Sequence, residues 1–155
     1  MNRIIEKLNQ KKLPYCHISP EHNDLTLDTR VKQANRIYEA DRNAGVLSIQ
    51  VNPEAVTGIE GYTTKRITLS DRNGYIILKN LETDMPDVRM RFDWSDGERD
   101  KVKDFIILKK PKAPACLIEC WFMDNQNDYT LLWNYQYLGT ITYSVVNSLE
   151  KIYKM

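Results

Sequence analysis

The residues ACLIECWFM at Ala115–Met123 and YTLLWNYQYL at Tyr129–Leu138 form two apolar runs, joined by the polar linker DNQND. Their lengths and composition predict the two strands of a β-hairpin. Because strand side chains alternate between faces, the second run would carry a mainly aromatic row on one side. That row consists of Tyr129, Leu131, Trp133, Tyr135 and Tyr137. It is either a wall of the core or a surface for stacking a flat ligand, and the large apolar area of aromatic rings favours the core.

The first run is apolar on both faces of this predicted hairpin. One face carries Leu117, Trp121 and Met123, and the other carries Cys116 and Ile118. Both faces therefore need cover. We expect helices of the same chain to cover one face and a partner protein, or a second copy of the chain, to cover the other.

The bulk composition predicts an ordinary globular chain. Its 155 residues suffice for a single α+β domain, residues 1–155, without disulfide or metal staples. With 22 basic and 21 acidic residues, the formal net charge of +1 gives no overall field to attract nucleic acid or an anionic membrane. No stretch approaches the roughly 18 apolar residues of a membrane span, and the N-terminus has no secretory cleavage pattern. Three cysteines without framework spacing indicate a reducing compartment, so we predict a soluble, cytoplasmic protein with no membrane contact.

Helical periodicity appears near both ends of the chain. Met1–Lys11 predicts a short amphipathic helix, and Asp28-Thr29 offers caps for a second helix that stops at Gly45. Ser144–Lys154 predicts a terminal helix.

Between these helices the apolar pattern changes to a period of two. Asn73-Gly74 is a strong hairpin signal, and the residues on either side of it predict a pair of strands. The predicted strands before the C-terminal hairpin are Val46–Val51, Lys65–Ser70, Tyr75–Leu81, Asp87–Trp94 and Phe105–Leu108. Strands in succession predict the α+β class, with a curved antiparallel sheet of six to eight strands packed by the N- and C-terminal helices.

Metal and nucleophile patterns are weak. Cys116 and Cys120 lie four residues apart on a predicted strand, about 13 Å along it, so they cannot both bind one zinc ion. His17 and His22 lie close together in one loop and form no catalytic arrangement. The acidic group Asp93, Asp96, Glu98 and Asp100 fails the calcium-loop template and is typical of a turn before a helix. We predict no metal site and no cofactor.

Glu119 is unusual because apolar residues surround it on its strand. A carboxylate in such a place is either paired or has a raised pKa. It could join Asp104 and the Asp93–Asp100 group in a magnesium-dependent phosphodiesterase or nuclease site. Pairing with an arginine such as Arg89 or Arg91 is the favoured interpretation, since buried charges are usually paired.

Lys109, Lys110 and Lys112 lie next in sequence to the predicted aromatic hairpin. Lysines for phosphates together with aromatic rings for bases would suit single-stranded nucleic acid. The near-neutral net charge argues against that use.

The sequence leaves open whether the chain is an enzyme and favours a non-enzymatic role. The hypothesis is an adaptor, inhibitor, immunity or assembly protein that acts through its C-terminal hairpin. A nucleic-acid-binding module and a metal-dependent phosphodiesterase are the alternatives. The predicted binding surface consists of Leu117, Trp121, Met123, Tyr129, Trp133, Tyr135, Tyr137, Lys109, Lys110 and Lys112.

Overall fold

The computed structural model describes residues 2–19, 25–54, 56–64, 68–94, 97 and 99–154. Its helices are α1 (Asn2–Gln10), α2 (Leu27–Ala40), α3 (Leu69–Asp84), α4 (Ile106–Lys109), α5 (Gln126–Leu132) and α6 (Tyr135–Tyr153). Its strands are β1 (Val46–Asn52), β2 (Ile59–Thr63), β3 (Lys101–Val102) and β4 (Ala115–Phe122).

Within the described residues the strands form one mixed sheet in the order β1-β4-β2-β3. β4 runs parallel to β1 and antiparallel to β2, and β3 runs parallel to β2. The predicted antiparallel sheet of six to eight strands is therefore wrong. Several segments predicted as strands are helical, and helices α3 and α4 connect β2 to β3 and β3 to β4.

The sheet separates two apolar clusters. On one side, α1, α3 and α6 pack around Ile59, Ile118 and Cys120. On the other side, a smaller cluster contains Leu117 and Leu108 of α4. Because β4 is covered on both sides, every one of its residues is buried. The sequence predicted that both faces of the Ala115–Met123 run need cover. Helices of this same chain cover both faces of β4, so no partner protein is needed there.

The predicted hairpin around Asn73-Gly74 is helix α3. The hydroxyl of Thr68 accepts a hydrogen bond from the backbone of Ser70, and the Asp71 carboxylate accepts one from the Thr68 backbone. This reciprocal capping box begins the helix, and it outweighs the local turn preference of Asn-Gly. Gly74 lies in the interior of this helix, where α3 packs closely on β2. A Cβ at this position would come within 3.2 Å of the Thr63 side chain, which explains why the residue is a glycine. Residues 65–67 of the predicted first strand lie outside the described residues.

The second run of the predicted C-terminal hairpin is also helical. Asn125 caps α5 by accepting bonds from two backbone N–H groups, and Asn134 caps α6 in the same way. Phe105–Leu108, predicted as a strand, overlaps α4. Residues 87–94 make one isolated bridge, Met90 to Ile59.

The helices predicted at the chain ends agree better with the structure. α1 lies within the predicted Met1–Lys11, and α2 begins one residue before the predicted caps, with Thr26 as the cap. The strand predicted to end at Asn52-Pro53 is β1. The terminal helix is longer than predicted and begins at Tyr135. No helix in the described part of the chain is long and apolar enough to cross a bilayer.

A β-bulge in β4 changes which face its last residues occupy. Gln50 pairs with Glu119, but Asn52 pairs with Phe122, so two residues of β4 lie opposite one residue of β1. Trp121 lies in this bulge with φ of 66°, a left-handed conformation that bulky residues rarely adopt. Its indole packs with the α1, α3 and α6 cluster, whereas Leu117 packs in the smaller cluster. The prediction that Leu117 and Trp121 share a face is wrong because the bulge interrupts the alternation.

Two glycines offer a matched test of this packing. A Cβ on Gly61 of β2 would lie 2.7 Å from the fully buried side chain of Leu78, so Gly61→Ala should cost about 1–3 kcal/mol of unfolding free energy. A Cβ on Gly139 of α6 meets nothing within 4 Å. Gly139→Ala should therefore stabilise the protein by about 0.4–1 kcal/mol through the unfolded chain. Urea denaturation of both variants measures the contrast, and equal effects would contradict this packing of α3 on β2.

Candidate functional site

The candidate site is a row of three polar side chains across the sheet. Gln50 of β1 and Glu60 of β2 both pair in register with Glu119 of β4. Residues directly opposite each other in neighbouring strands place their side chains on the same face. Leu117 and Tyr62 also pair in register and lie on the same face, the one covered by α4. The polar row lies beyond that pair, toward the end of the sheet where β1 and β4 end.

Glu60 is buried and strongly held in its ionised form. It is 1% exposed and accepts hydrogen bonds from Lys101 at 2.7 Å, from Arg91 and from the Tyr62 hydroxyl. Burial opposes ionisation, but these three donors outweigh it and hold the pKa of Glu60 below its usual value. The pKa of Tyr62 is raised in turn, first by burial and then by its bond to Glu60.

Glu119 has a different environment. It is 6% exposed, and its carboxyl accepts a 2.5 Å hydrogen bond from the side-chain amide of Asn52, at the end of β1. Burial is the main cause that raises the pKa of Glu119, and the charges of Glu60 and Glu54 raise it further. The Asn52 bond and the Lys101 charge act in the opposite direction but do not reverse the shift. The sequence left two alternatives for Glu119, a paired carboxylate or a carboxyl with a raised pKa, and the structure agrees with the raised pKa. The favoured alternative, pairing with an arginine such as Arg89 or Arg91, is not seen among the described residues: Arg91 binds Glu60 instead, and Arg89 is exposed.

Asp128 fixes the chain around the end of β4. It is 1% exposed, and its carboxylate accepts bonds from the backbone of Gly58 at 2.8 Å, the backbone of Phe122 at 3.1 Å and the Thr57 hydroxyl. These bonds tie α5 to the start of β2 and to the end of β4. They hold the two strand ends together at one end of the Glu60 and Glu119 pair.

The structure separates the aromatic residues of the predicted binding surface. Leu117 and Trp121 are buried, on opposite sides of the sheet. Tyr137 packs edge-on against Trp121, with ring centroids 6.2 Å apart, and its hydroxyl binds Asp87. The remaining members are exposed, at 47% to 79%: Met123, Tyr129, Trp133 and Tyr135.

The three lysines of the predicted surface are each paired with an acid. Lys109 binds Asp104, while Lys110 and Lys112 bind Asp28 and Glu39 of α2. These ion pairs neutralise the charge that would attract phosphate groups.

The predicted phosphodiesterase acids do not gather around Glu119. Asp104 is exposed and binds Lys109, and the buried Asp100 accepts a hydrogen bond from Thr63. Asp96 and Glu98 lie outside the described residues.

Thiol chemistry is equally unsupported at β4. Burial raises the pKa of both Cys116 and Cys120 to about 12, so these thiols stay protonated and poorly nucleophilic. Cys16 is exposed, after α1.

A catalytic metal centre activates a bound water molecule, and it needs about three protein ligands. Among residues 2–19, 25–54, 56–64, 68–94, 97 and 99–154, no group of three or more His, Cys, Asp or Glu side chains could hold an ion. His17 lies after α1, and His22 lies outside the described residues. The described side chains do not fit a metal centre.

Sequence reasoning found Glu119 but missed its neighbours Glu60, Asn52 and Lys101. Glu60 carries the same local signal as Glu119, a carboxylate beside apolar and aromatic residues in the stretch IEGY. The sequence alone could have flagged it on that ground. The pairing of the two acids depends on the register of β2 against β4, which no local pattern encodes.

The chain belongs to the Amidase_3 family of N-acetylmuramoyl-L-alanine amidases, whose sequence profile matches residues 1–151. No individual sequence among the curated proteins matches it.

Solved amidase structures share its fold. The catalytic domain of CwlV, an N-acetylmuramoyl-L-alanine amidase from Bacillus (Paenibacillus) polymyxa var. colistinus, is 19% identical with a TM-score of 0.76. That match covers 97% of this chain and 78% of the CwlV domain. An N-acetylmuramoyl-L-alanine amidase from Clostridium difficile 630 is 24% identical with a TM-score of 0.71, over 96% of this chain and 79% of its own.

A third similar structure has a partner bound. The CwlD amidase from Clostridioides difficile, solved in complex with the GerS lipoprotein, is 20% identical with a TM-score of 0.69. The match covers 97% of this chain and 81% of the CwlD chain. The fold is therefore known in an enzyme that assembles with another protein.

These findings correct the predicted function. The family and its structural neighbours are amidases, so the hypothesis of a non-enzymatic adaptor, inhibitor, immunity or assembly protein is wrong. The nucleic-acid-binding and phosphodiesterase alternatives are also wrong. The sequence contains no complete catalytic motif that could have indicated an enzyme. The one unusual carboxyl, that of Glu119, was predicted to have a structural role.

Proposed function

We propose that the chain acts on the amide bond between N-acetylmuramic acid and L-alanine in peptidoglycan, with Glu119 as the group that transfers protons. Membership of the amidase family supports the substrate class. The observation that carries the assignment of Glu119 is its burial on the central strand, where the surroundings raise its pKa. A carboxyl whose pKa moves toward the working pH is suited to general acid and base catalysis.

The reaction needs one proton to move twice. As a base, the Glu119 carboxylate takes a proton from water while the water oxygen forms a bond to the muramoyl carbonyl carbon. As an acid, it then gives that proton to the alanine nitrogen as the carbon–nitrogen bond breaks. The products are a muramoyl carboxylic acid, which loses its remaining proton to water, and an L-alanyl amine, and Glu119 returns to its starting state. Asn52 orients the carboxyl through its amide, which cannot itself titrate.

The direct test is release of amine by the purified chain. An N-acetylmuramoyl-L-alanyl peptide is the substrate, and the matched N-acetyl-L-alanyl peptide, which lacks the sugar, is the control. We expect new L-alanyl amino groups from the first peptide only. Amine release no faster than in buffer, at every pH where the protein stays folded, would overturn the proposal.

The pH dependence has a defined sign. Because the base form of Glu119 is the carboxylate, the rate should rise with pH as this carboxyl loses its proton. Since the pKa of Glu119 is raised, that rise should occur at a higher pH than for an ordinary glutamate, whose pKa is about 4.3. Initial rates of amine release across the pH range measure it. A rate that stays flat through this region would separate Glu119 from the proton-transfer step.

The likeness to CwlD in complex with GerS supports a protein partner for this chain as well. The exposed residues Met123, Tyr129, Trp133 and Tyr135 provide the apolar and aromatic area that protein interfaces favour. Trp133→Ser should weaken such an association without changing amine release from a small peptide. The predicted cytoplasmic location remains a prediction.

A further inference from the structure

Glu60 and Glu119 lie directly opposite each other on β2 and β4. Side chains paired in this way share a face, with Cβ atoms about 4.5–5.5 Å apart. Both carboxyl groups are nearly buried, at 1% and 6% exposure. A buried carboxylate opposes the ionisation of a carboxyl beside it, and the charge of Glu60 is one of the causes that raise the pKa of Glu119.

The structure compensates the two acids unequally. Glu60 receives Lys101, Arg91 and the Tyr62 hydroxyl, so two cations stabilise its charge. The hydrogen bond that the structure gives to Glu119 comes from the neutral amide of Asn52. The negative charge is therefore better stabilised on Glu60, and Glu119 is the acid of the pair that takes up a proton first as the pH falls.

We propose that Glu60 is a positioning residue for Glu119: fixed as a carboxylate by Lys101 and Arg91, it makes the neighbouring carboxyl hold its proton more tightly. The inference rests on the proposed function, in which Glu119 transfers the proton. Glu60 itself is turned to its two cations and does not exchange protons with substrate. Pairs of acids whose surroundings push their two pKa values apart are a recurring arrangement at active sites.

The charged and titratable groups around Glu119 agree with this division. Glu54, after β1, and Glu60 of β2 raise its pKa, whereas Lys101 of β3 lowers it. Arg91 acts through Glu60, to which it is bound. Tyr62 is neutral, because its pKa is raised.

The experiment is an NMR titration of the glutamate side-chain carboxyl carbons, with the Glu119 signal identified by its loss in Glu119→Gln. Glu60→Gln should move the midpoint of the Glu119 titration to lower pH, because a neighbouring negative charge is lost. Lys101→Met should move it to higher pH, because a positive charge is lost. Glu60→Asp keeps the charge and should retain most of the wild-type midpoint.

Glu82→Gln is the matched control. Glu82 of α3 pairs with Arg99, so its loss also removes a glutamate from an ion pair while leaving the Glu119 titration unchanged. In the rate assay, the acidic limb of the pH profile should shift in the same directions as the NMR midpoints.

Opposite shifts in Glu60→Gln and Lys101→Met support the inference, since a purely structural role would not reverse sign with charge. If neither variant moved the Glu119 midpoint, the inference would be overturned even with amidase activity intact. If the midpoints moved as expected but Glu119→Gln kept full activity, the electrostatic coupling would stand and the proposed function would fail. Should Glu60→Gln not fold, Lys101→Met and Glu60→Asp still decide the question.

Discussion

Glu119→Gln should lower the rate of amide cleavage by about 10²–10⁴-fold, the usual contribution of a general acid or base. Glutamine has nearly the same size, and its carbonyl oxygen can still accept the bond from Asn52. It cannot take up or release a proton at neutral pH. The loss should therefore appear in kcat, with a small change in KM, when initial rates of amine release are measured on the muramoyl peptide.

The control for this variant is its folding. Among the described residues no cation is bound to the buried wild-type carboxyl, so the neutral amide should unfold at the same denaturant concentration or a higher one. Full activity in a folded Glu119→Gln protein would remove this residue from the reaction. A loss of activity together with a loss of folding would be assigned instead to the strand.

Asp128→Ala should cost about 3 kcal/mol or more of unfolding free energy. The substitution leaves two backbone N–H groups, of Gly58 and Phe122, and the Thr57 hydroxyl without their acceptor at a buried position. Each buried donor that loses its partner costs about 1–3 kcal/mol. Urea denaturation followed by circular dichroism measures the change.

Asp128→Asn should lose less stability than Asp128→Ala, because the amide keeps one acceptor oxygen. Asp124→Ala, in the exposed turn after β4, is the surface control and should stay within about 0.5 kcal/mol of wild type. If Asp128→Ala proved as stable as this control, the link between α5 and the ends of β2 and β4 would not hold those strands in place.

The parts of the fold that could be predicted are those with local signals. Ile4 and Leu8 at helical spacing define α1, and Pro53 ends β1. Such signals need no knowledge of distant residues.

The C-terminal third shows why periodicity alone misleads. Tyr129, Leu131, Trp133, Tyr135 and Tyr137 alternate as a strand would, but Asn134 interrupts them with a helix cap. Tyr129 of α5 and Trp133, the C-cap of that helix, are four residues apart and pack edge to face, with ring centroids 6.3 Å apart. The asparagines at 125 and 134 were the available local signal, since asparagine is a preferred N-cap.

The candidate site was half visible from the sequence. Glu119 stood out because a lone carboxyl in an apolar strand must be explained. Its division of roles with Glu60 was not visible, because it depends on which residues of β2 and β4 lie opposite each other. The strained backbone of Trp121 was equally hidden, since nothing local marks a bulge that turns one aromatic side chain through the sheet.

Cleavage in water enriched in oxygen-18 tests the central claim most directly. The muramoyl peptide is digested by the wild-type chain, and both products are weighed by mass spectrometry, with Glu119→Gln digested in parallel. The account predicts one oxygen-18 atom in the new muramoyl carboxylate, none in the L-alanyl peptide and little product from the variant. Label in the peptide product, or equal product from Glu119→Gln, would contradict it.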